Sequence, residues 1–345
     1  VTITSVASGD HLAWNGTAWV NSAGLTGFST SYANAAPNHV TGASMLAAVG
    51  GLSDIDIVLN PKGSGAVLAE LPDGTPAGGN KRGASAVDMQ MLRSSATQVA
   101  SNDNSVVSGG HSNTASGYSS VVSGGQVNIA SADFAVVSGG YNNTASGDYS
   151  VVSGGQVNIA SANFSVVSGG NNNVANGDGS FIAGGLGATT RGARGASAHA
   201  AGTFSGGVTG QAQVRSFVHR AITTGNTPTS ITADEVITHS DSNIVILENN
   251  SMYAFEAMVT ARETATGDAA WFKIVGAVKR GATAATTAMV GSHIVTQQGA
   301  DAGASTWNVD VTIDTTLGGF AITGEGQTSK TIKWVANVIT TEVVG

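Results

Sequence analysis

Between Ser105 and Gly185 apolar pairs recur at a fixed step. Val106-Val107 is followed by Val121-Val122, Val136-Val137, Val151-Val152, Val166-Val167 and Phe181-Ile182, each pair 15 residues after the last. Ser-Gly-Gly follows every pair but the last, where Ala183-Gly-Gly takes its place. A second half-motif keeps the same step: Asn113-Thr-Ala-Ser, Asn128-Ile-Ala-Ser, Asn143-Thr-Ala-Ser, Asn158-Ile-Ala-Ser and Asn173-Val-Ala-Asn. Paired glycines at one phase of a short repeat predict stacked supersecondary units, each resting on its neighbours. Such a unit is too short for two helices but holds two short strands and two turns, one coil of a flattened β-solenoid. Val121 to Ala132 is copied letter for letter at Val151 to Ala162, so a 30-residue alternation lies over the 15.

Adjacent strand residues face opposite ways. The Val106 and Val107 columns therefore lie on two faces, and both are apolar through five coils. Two apolar faces predict burial on both sides: one inside the roll, the other against further copies of the chain. This pattern predicts a homotrimer with its Val-rich strands packed around a central axis.

Other segments carry other patterns. Residues 1–50 read as an attachment region, in which Asp10 to Val20 predicts a hairpin with Asn15-Gly16 at its turn and Trp14 and Trp19 on its flanks. Residues 51–89 read as a β-hairpin joint, with strands flanking Pro61-Lys-Gly-Ser-Gly65. Asn80 to Arg93 has a helix-like reading, yet Val99-Ala-Ser falls in phase with Thr114-Ala-Ser, which starts the roll near Gln90 and gives it residues 90–190. Residues 191–213 form a Gly-rich neck. From residue 214 to 345 long alternating strands predict a C-terminal antiparallel β-sandwich, the expected receptor-binding domain. The fold class is therefore all-β.

Composition narrows the function. Charged residues make up 10% of the 345, net charge is −8, and cysteine is absent. An acidic chain without Lys/Arg clusters argues against nucleic acid as partner. Neither a signal peptide nor an apolar run long enough to span a membrane is visible. The seven His form no metal-ligand motif and no phosphate loop is present, so neither metal nor cofactor is expected. Ser, His and Asp can always be combined in a Ser-rich chain, and nothing in the sequence marks one such set.

Ser105 to Gly117 and its copies resemble the "S-V-x-x-G…A-x-G" repeats of the YadA-like head of trimeric adhesins, a left-handed parallel β-roll. Gly79 to Gln90, the Trp14-Asn-Gly-Thr-Ala-Trp19 hairpin and the closing strand through Trp334 resemble phage tail fibres. The resemblance implies a virion fibre or spike, assembled in the host cytoplasm and attached to a tail or capsid protein through its N-terminal region. It also implies adhesion to a host-surface glycan or capsule, with three copies supplying avidity. The expectation is no enzyme; a capsule-degrading tailspike, a structural virion decoration and a bacterial adhesin are the alternatives.

Candidate residues follow from position. Arg262, Glu263, Lys279, Arg280 and Glu325 fall at predicted strand ends, where binding function concentrates, although a solvated rim explains them equally. Phe134, Tyr149 and Phe164 form an aromatic column that either packs or lines a sugar-binding strip. The Asn113 column predicts a ladder between coils. The column Asp103, Tyr118, Asp133, Asp148, Asn163, Asp178 reads as turn formation, with a surface cation and a carboxylate pair as lesser options. Trp271, Trp307 and Trp334 are expected in the core.

Overall fold

The computed structural model describes residues 61–204, 207 and 209–345, and the four strands His11–Trp14, Trp19–Ser22, Phe28–Ala33 and Ala43–Ala48. The chain is all-β, with short 3₁₀ turns at Ala284–Thr286 and Ala302–Ala304. Residues 1–60 and 61–345 are separate units. In the first, His11–Trp14 pairs antiparallel with Trp19–Ser22, with Trp14 opposite Trp19, as the hairpin pattern requires. Phe28–Ala33 pairs with Ala43–Ala48, a hairpin the sequence reading did not find. Residues 54–59, the expected first strand of the joint, lie outside the described residues.

In the second unit a parallel solenoid of about eight coils stands on the Val repeat. Each coil contributes two-residue rungs: Val106–Val107 and its equivalents stack in one ladder, Thr114–Ala115 and its equivalents in the other. Parallel pairing reaches back through Val87–Asp88 to Val67–Leu68, ahead of the expected start at Gln90. Val107, Val122, Val137, Val152, Val167 and Ile182 point inward and are fully buried, facing Ala115, Ala130, Ala145, Ala160 and Ala175. The Val106 column is half-buried on the outer face. Gly110 shows why the repeat keeps its second glycine: its φ is 84°, and a Cβ there would strike the carbonyl oxygen of Gly125 on the next coil.

The Asn column is the polar spine. Asn128 donates its backbone N–H to Asn113 Oδ1 at 2.9 Å, and Asn143, Asn158 and Asn173 repeat the bond down the stack. Each side-chain amide also reaches two glycine carbonyls, as Asn143 Nδ2 does with Gly139 and Gly155, both at 2.9 Å. All five Asn are completely buried, and these bonds satisfy their polar atoms. The left-handed residue is the one before each, including Val127 and Val157 at φ 58° and 57°.

Both ends of this spine run into buried ion clusters. At one end Gln90 Oε1 accepts the N–H of Asn113 (2.9 Å), and Asp88 beside it binds Arg82 (2.7 Å) and Arg93 (3.2 Å). The helix-like reading of Asn80–Arg93 fails here: Val87–Asp88 is a rung, and its Arg and Gln neighbours fold back to satisfy inward-facing polar groups. At the other end Gln213 takes the Thr189 N–H (2.9 Å) and donates to Glu342 (2.9 Å), which also binds Arg215 and Arg191.

The C-terminal strands are β1 (Ala212–Thr223), β2 (Thr229–Ile231), β3 (Val245–Ile246), β4 (Ser251–Glu263), β5 (Ala269–Arg280), β6 (Ala288–Met289), β7 (Ile294–Ala300), β8 (Asn308–Asp314), β9 (Gly319–Glu325) and β10 (Ile332–Val344). Strands β5, β4, β10 and β1 continue the Val-ladder sheet antiparallel, in that order, joined to it through Ser197–Ala201. Strands β2, β3 and β8 pair with β9 in a second sheet. Strict alternation decides the inner face of β10, where Ile332, Trp334, Ala336 and Val338 are buried. They share one core with Phe255, Phe272, Trp307 and Phe320. Phe255 and Phe320 meet at 4.6 Å, and Trp307 and Trp334 at 6.1 Å, between ring centroids.

Candidate functional site

The residues that alternate outward on β4, β5 and β10 meet at one end of the sheet. Thr260 pairs with Trp271 on one side and Val335 on the other; Arg262 pairs with Ala269 and Lys333. Arg262 and Lys333 are therefore cross-strand neighbours on one face, with Cβ atoms about 5 Å apart. Like charges so placed repel, and neither has a carboxylate within salt-bridge distance among the described residues. The buried or paired Arg and Lys elsewhere, such as Lys273 with Glu256 at 3.0 Å, show the opposite habit.

Trp271 completes the site. It lies beside a register slip between β5 and β7, where Trp271 pairs with Gly299 and Phe272 with Gln297. A bulge of this kind re-aims a side chain. A Cβ at Gly299 would lie 2.9 Å from Trp271 Nε1, so glycine there leaves room for the indole. Trp271 is 42% exposed, which corrects the expectation that it packs in the core; Trp307 and Trp334 do. Arg262, Trp271, Lys333, Asp301, Thr260 and Val335 border a groove of about 750 Å³. The Asp301 carboxylate is partly engaged, since its Oδ2 accepts the Ala269 N–H at 3.0 Å. The groove offers an open aromatic surface beside two uncompensated cations.

The other expected residues do not converge on it. Glu263 is 5% exposed, and its carboxylate accepts the N–H and hydroxyl of Thr266 in its own hairpin turn. Those bonds hold it below the usual carboxylate range. Lys279 and Arg280 stand at the far end of β5, beside a separate groove of about 610 Å³. Arg280 Nη1 donates to the Leu247 carbonyl at 2.6 Å and is half-buried. Glu325 borders a smaller pocket of about 260 Å³ on the second sheet, with Asp310 and Thr323.

Phe134, Tyr149 and Phe164 stack face to face at 4.8 and 5.2 Å, inclined by 8° and 7°, while Tyr118 meets Phe134 edge-on. All three sit at φ 58° in the turns and are 39%, 50% and 61% exposed. Their rings cover one another, so Tyr149 offers solvent only its edge. Asp133 and Asp148 beside them accept backbone N–H groups of the preceding coil, from Tyr118 at 2.9 Å and Asp133 at 3.2 Å. That is turn chemistry.

Sequence reasoning found Arg262 but missed Lys333 and Trp271. The alternation of β10 marked Lys333 as outward-facing; nothing local marked its partner across the sheet.

No protein-family model and no curated protein matches the chain. Among solved structures it is similar to the tailspike protein gp49 of Acinetobacter baumannii bacteriophage Fri1, described as a capsular polysaccharide depolymerase, at 10% identity and TM-score 0.22, over 79% of this chain and 44% of that one. It is also similar to the tailspike of Acinetobacter phage vB_ApiP_P1, at 11% identity and TM-score 0.21, over 70% and 51%. The chain thus spans about half the length of the structures it matches. Likeness this slight locates no site. The expectation of no enzyme is nevertheless corrected, because one of these two spikes is described as an enzyme.

Proposed function

We propose that this chain is a phage tailspike or tail-fibre component that recognises an acidic polysaccharide of the host surface in the groove of Arg262, Trp271 and Lys333. The observation that carries the reading is the cross-strand pairing of Arg262 with Lys333, uncompensated by any carboxylate partner among the described residues, next to an exposed indole. An indole face suits the apolar face of a sugar ring, and two neighbouring cations suit the carboxylates along an acidic polymer. In this reading the C-terminal antiparallel strands form a receptor-binding sandwich, the YadA-like roll is a shaft, and the N-terminal region joins the virion.

The spike acts as a homotrimer, so that three weak grooves bind one polymer with avidity. In support, one apolar stripe continues along a single sheet face. It runs from the half-buried Val106 column through Phe181 to Val214, Val218 and Ile339, which are exposed by 42%, 64% and 42%. The groove adjoins the far end of this stripe, where Lys333 pairs with Ile222 of β1.

A second reading, cleavage of the polysaccharide, is favoured by the Asp310 and Glu325 carboxylates at the 260 Å³ pocket and by the description of the Fri1 spike. One experiment tests both. The chain is incubated with purified acidic and neutral capsules, bound polymer is measured by sedimentation, and polymer length by size exclusion. Retention of acidic capsule alone supports recognition; falling polymer length establishes cleavage as well. Equal binding of neutral capsule, or none of either, refutes the groove.

A further inference from the structure

The loop between β2 and β3 lays His239 over the second sheet, and there the imidazole joins two strands that the sequence keeps far apart. His239 Nδ1 lies 2.8 Å from Asp314 Oδ2, at the end of β8. His239 Nε2 lies 2.8 Å from the hydroxyl of Ser230, in β2. We propose that Ser230, His239 and Asp314 form an acyl-transfer site that hydrolyses small, uncharged carboxylic esters. The proposal is independent of polysaccharide binding at Arg262 and Lys333.

The constellation has a nucleophile within reach of a base, and a base oriented by a third group. Asp314 accepts the N–H groups of Thr316 and Leu317 on Oδ1 at 2.9 and 2.8 Å, which leaves Oδ2 for the imidazole. Burial pushes its carboxyl up, but the bonds from Leu317, His239 and Thr316 outweigh that and hold it below the usual range. A carboxylate accepts only, so Nδ1 carries the proton and Nε2 is left to accept from Ser230. The loop is itself fixed: buried Asn243 donates to Asp234 Oδ1 and the Thr238 carbonyl, both at 3.1 Å, and takes the Ser240 N–H at 2.8 Å. Ser230, His239 and Asp314 are all partly open to solvent.

Room for a substrate lies alongside. Ser230 pairs with Thr323 across β9, and Thr323 borders the 260 Å³ pocket. The Thr323 hydroxyl makes no hydrogen bond among the described residues and stands on the same face as Ser230, about 5 Å away between Cβ atoms. It is the donor placed to meet a developing oxyanion. Asp310 and Glu325 at the pocket disfavour anionic substrates and leave neutral esters.

In the reaction Ser230 Oγ attacks the ester carbonyl carbon while its proton passes to His239 Nε2. The adduct collapses, the bond to the alcohol oxygen breaks, and the alcohol departs with that proton. Water, giving a proton to the same nitrogen, then attacks the acyl carbon. The carboxylic acid leaves and Ser230 Oγ takes the proton back. His239 is the base, and Asp314 is a positioning residue.

The test treats the full chain with a fluorophosphonate probe, locates the adduct by peptide mass, and measures hydrolysis of p-nitrophenyl acetate. An adduct on Ser230, absent after heat unfolding, is expected. Ser230→Ala abolishes both signals. His239→Gln slows both at least about a thousandfold, and Asp314→Asn lowers kcat by up to about 10⁴ with KM unchanged. A folded wild-type chain that takes up no probe at Ser230 overturns the proposal without any variant. So does ester hydrolysis that persists in Ser230→Ala.

Discussion

Arg262 on β4 and Lys333 on β10 are register partners that point to the same side of the sheet, and no carboxylate among the described residues neutralises either. Their mutual repulsion costs stability in the free protein. Binding a carboxylate relieves it. Removing one cation should therefore act in opposite directions: Lys333→Ala leaves stability unchanged or raises it by about 0.5 kcal/mol, while affinity for an acidic capsule falls about tenfold. Thermal unfolding and sedimentation binding on the same samples check both.

The same pair makes binding salt-dependent. At an exposed groove the attraction is screened beyond about 8 Å at physiological ionic strength. Capsule affinity should fall steadily between low and physiological salt for the wild type, and far less for Lys333→Ala. Trp271→Ala should weaken binding at every salt concentration, because stacking is not electrostatic.

Asn143→Ala should destabilise the roll strongly. Asn143 Oδ1 satisfies the Asn158 N–H at 2.9 Å, and Nδ2 satisfies two glycine carbonyls. The Asn158 N–H and the Gly139 carbonyl are left unpaired at about 1–3 kcal/mol each, so the sum is about 2 kcal/mol or more, while the Gly155 carbonyl keeps the Tyr141 N–H. Asn143→Asp is worse, since it aims a charge at the Gly139 and Gly155 carbonyls. Denaturant unfolding gives the difference.

His219 gives the chain an acid limit. Burial depresses its pKa from 6.5 to about 4, against the opposing pull of Asp234 and a backbone bond to Ile231. The neutral ring is what the fold holds, so its contribution is complete above pH 6.5. It is lost as pH falls from there toward about 4, where the unfolded chain binds the proton and the native chain does not. The change amounts to about 3 kcal/mol. Unfolding free energies at pH 7 and pH 4.5 should differ accordingly, with a shallower slope in His219→Phe.

Tyr149→Ala should lower stability by about 1–2 kcal/mol through its two stacking contacts and leave capsule binding unchanged. Its ring faces are already covered by Phe134 and Phe164. Light scattering of Val218→Asp checks the trimer: a monomer with unchanged circular dichroism is the expected result.

What the sequence disclosed divides along the range of the interactions. The roll was legible because each rung repeats a local pattern, and Asn113 announces its bond to Asn128 simply by recurring. Trp271 was misread although the alternation of β5, with Ala270 and Phe272 buried, sends it outward; the Gly299 that leaves room for its indole lies 28 positions further on. Glu263 looked like a rim residue, yet the parity of β4 sends it inward. The Ser230–His239–Asp314 contact joins segments whose sequences carry no shared motif. Only the pairing of β2 and β8 with β9 brings them together.

The two buried ion clusters that terminate the Asn spine, around Asp88 and around Glu342, touch none of the coils between Ser120 and Gly170. Those interior coils are interchangeable parts. Excising one 30-residue block would rejoin identical surfaces and draw the groove about 10 Å nearer the Pro61 end, at about 4.8 Å per coil. The reach of the molecule is thereby a quantity that duplication or loss of a gene segment can adjust in whole steps, while the chemistry at its end stays as it is.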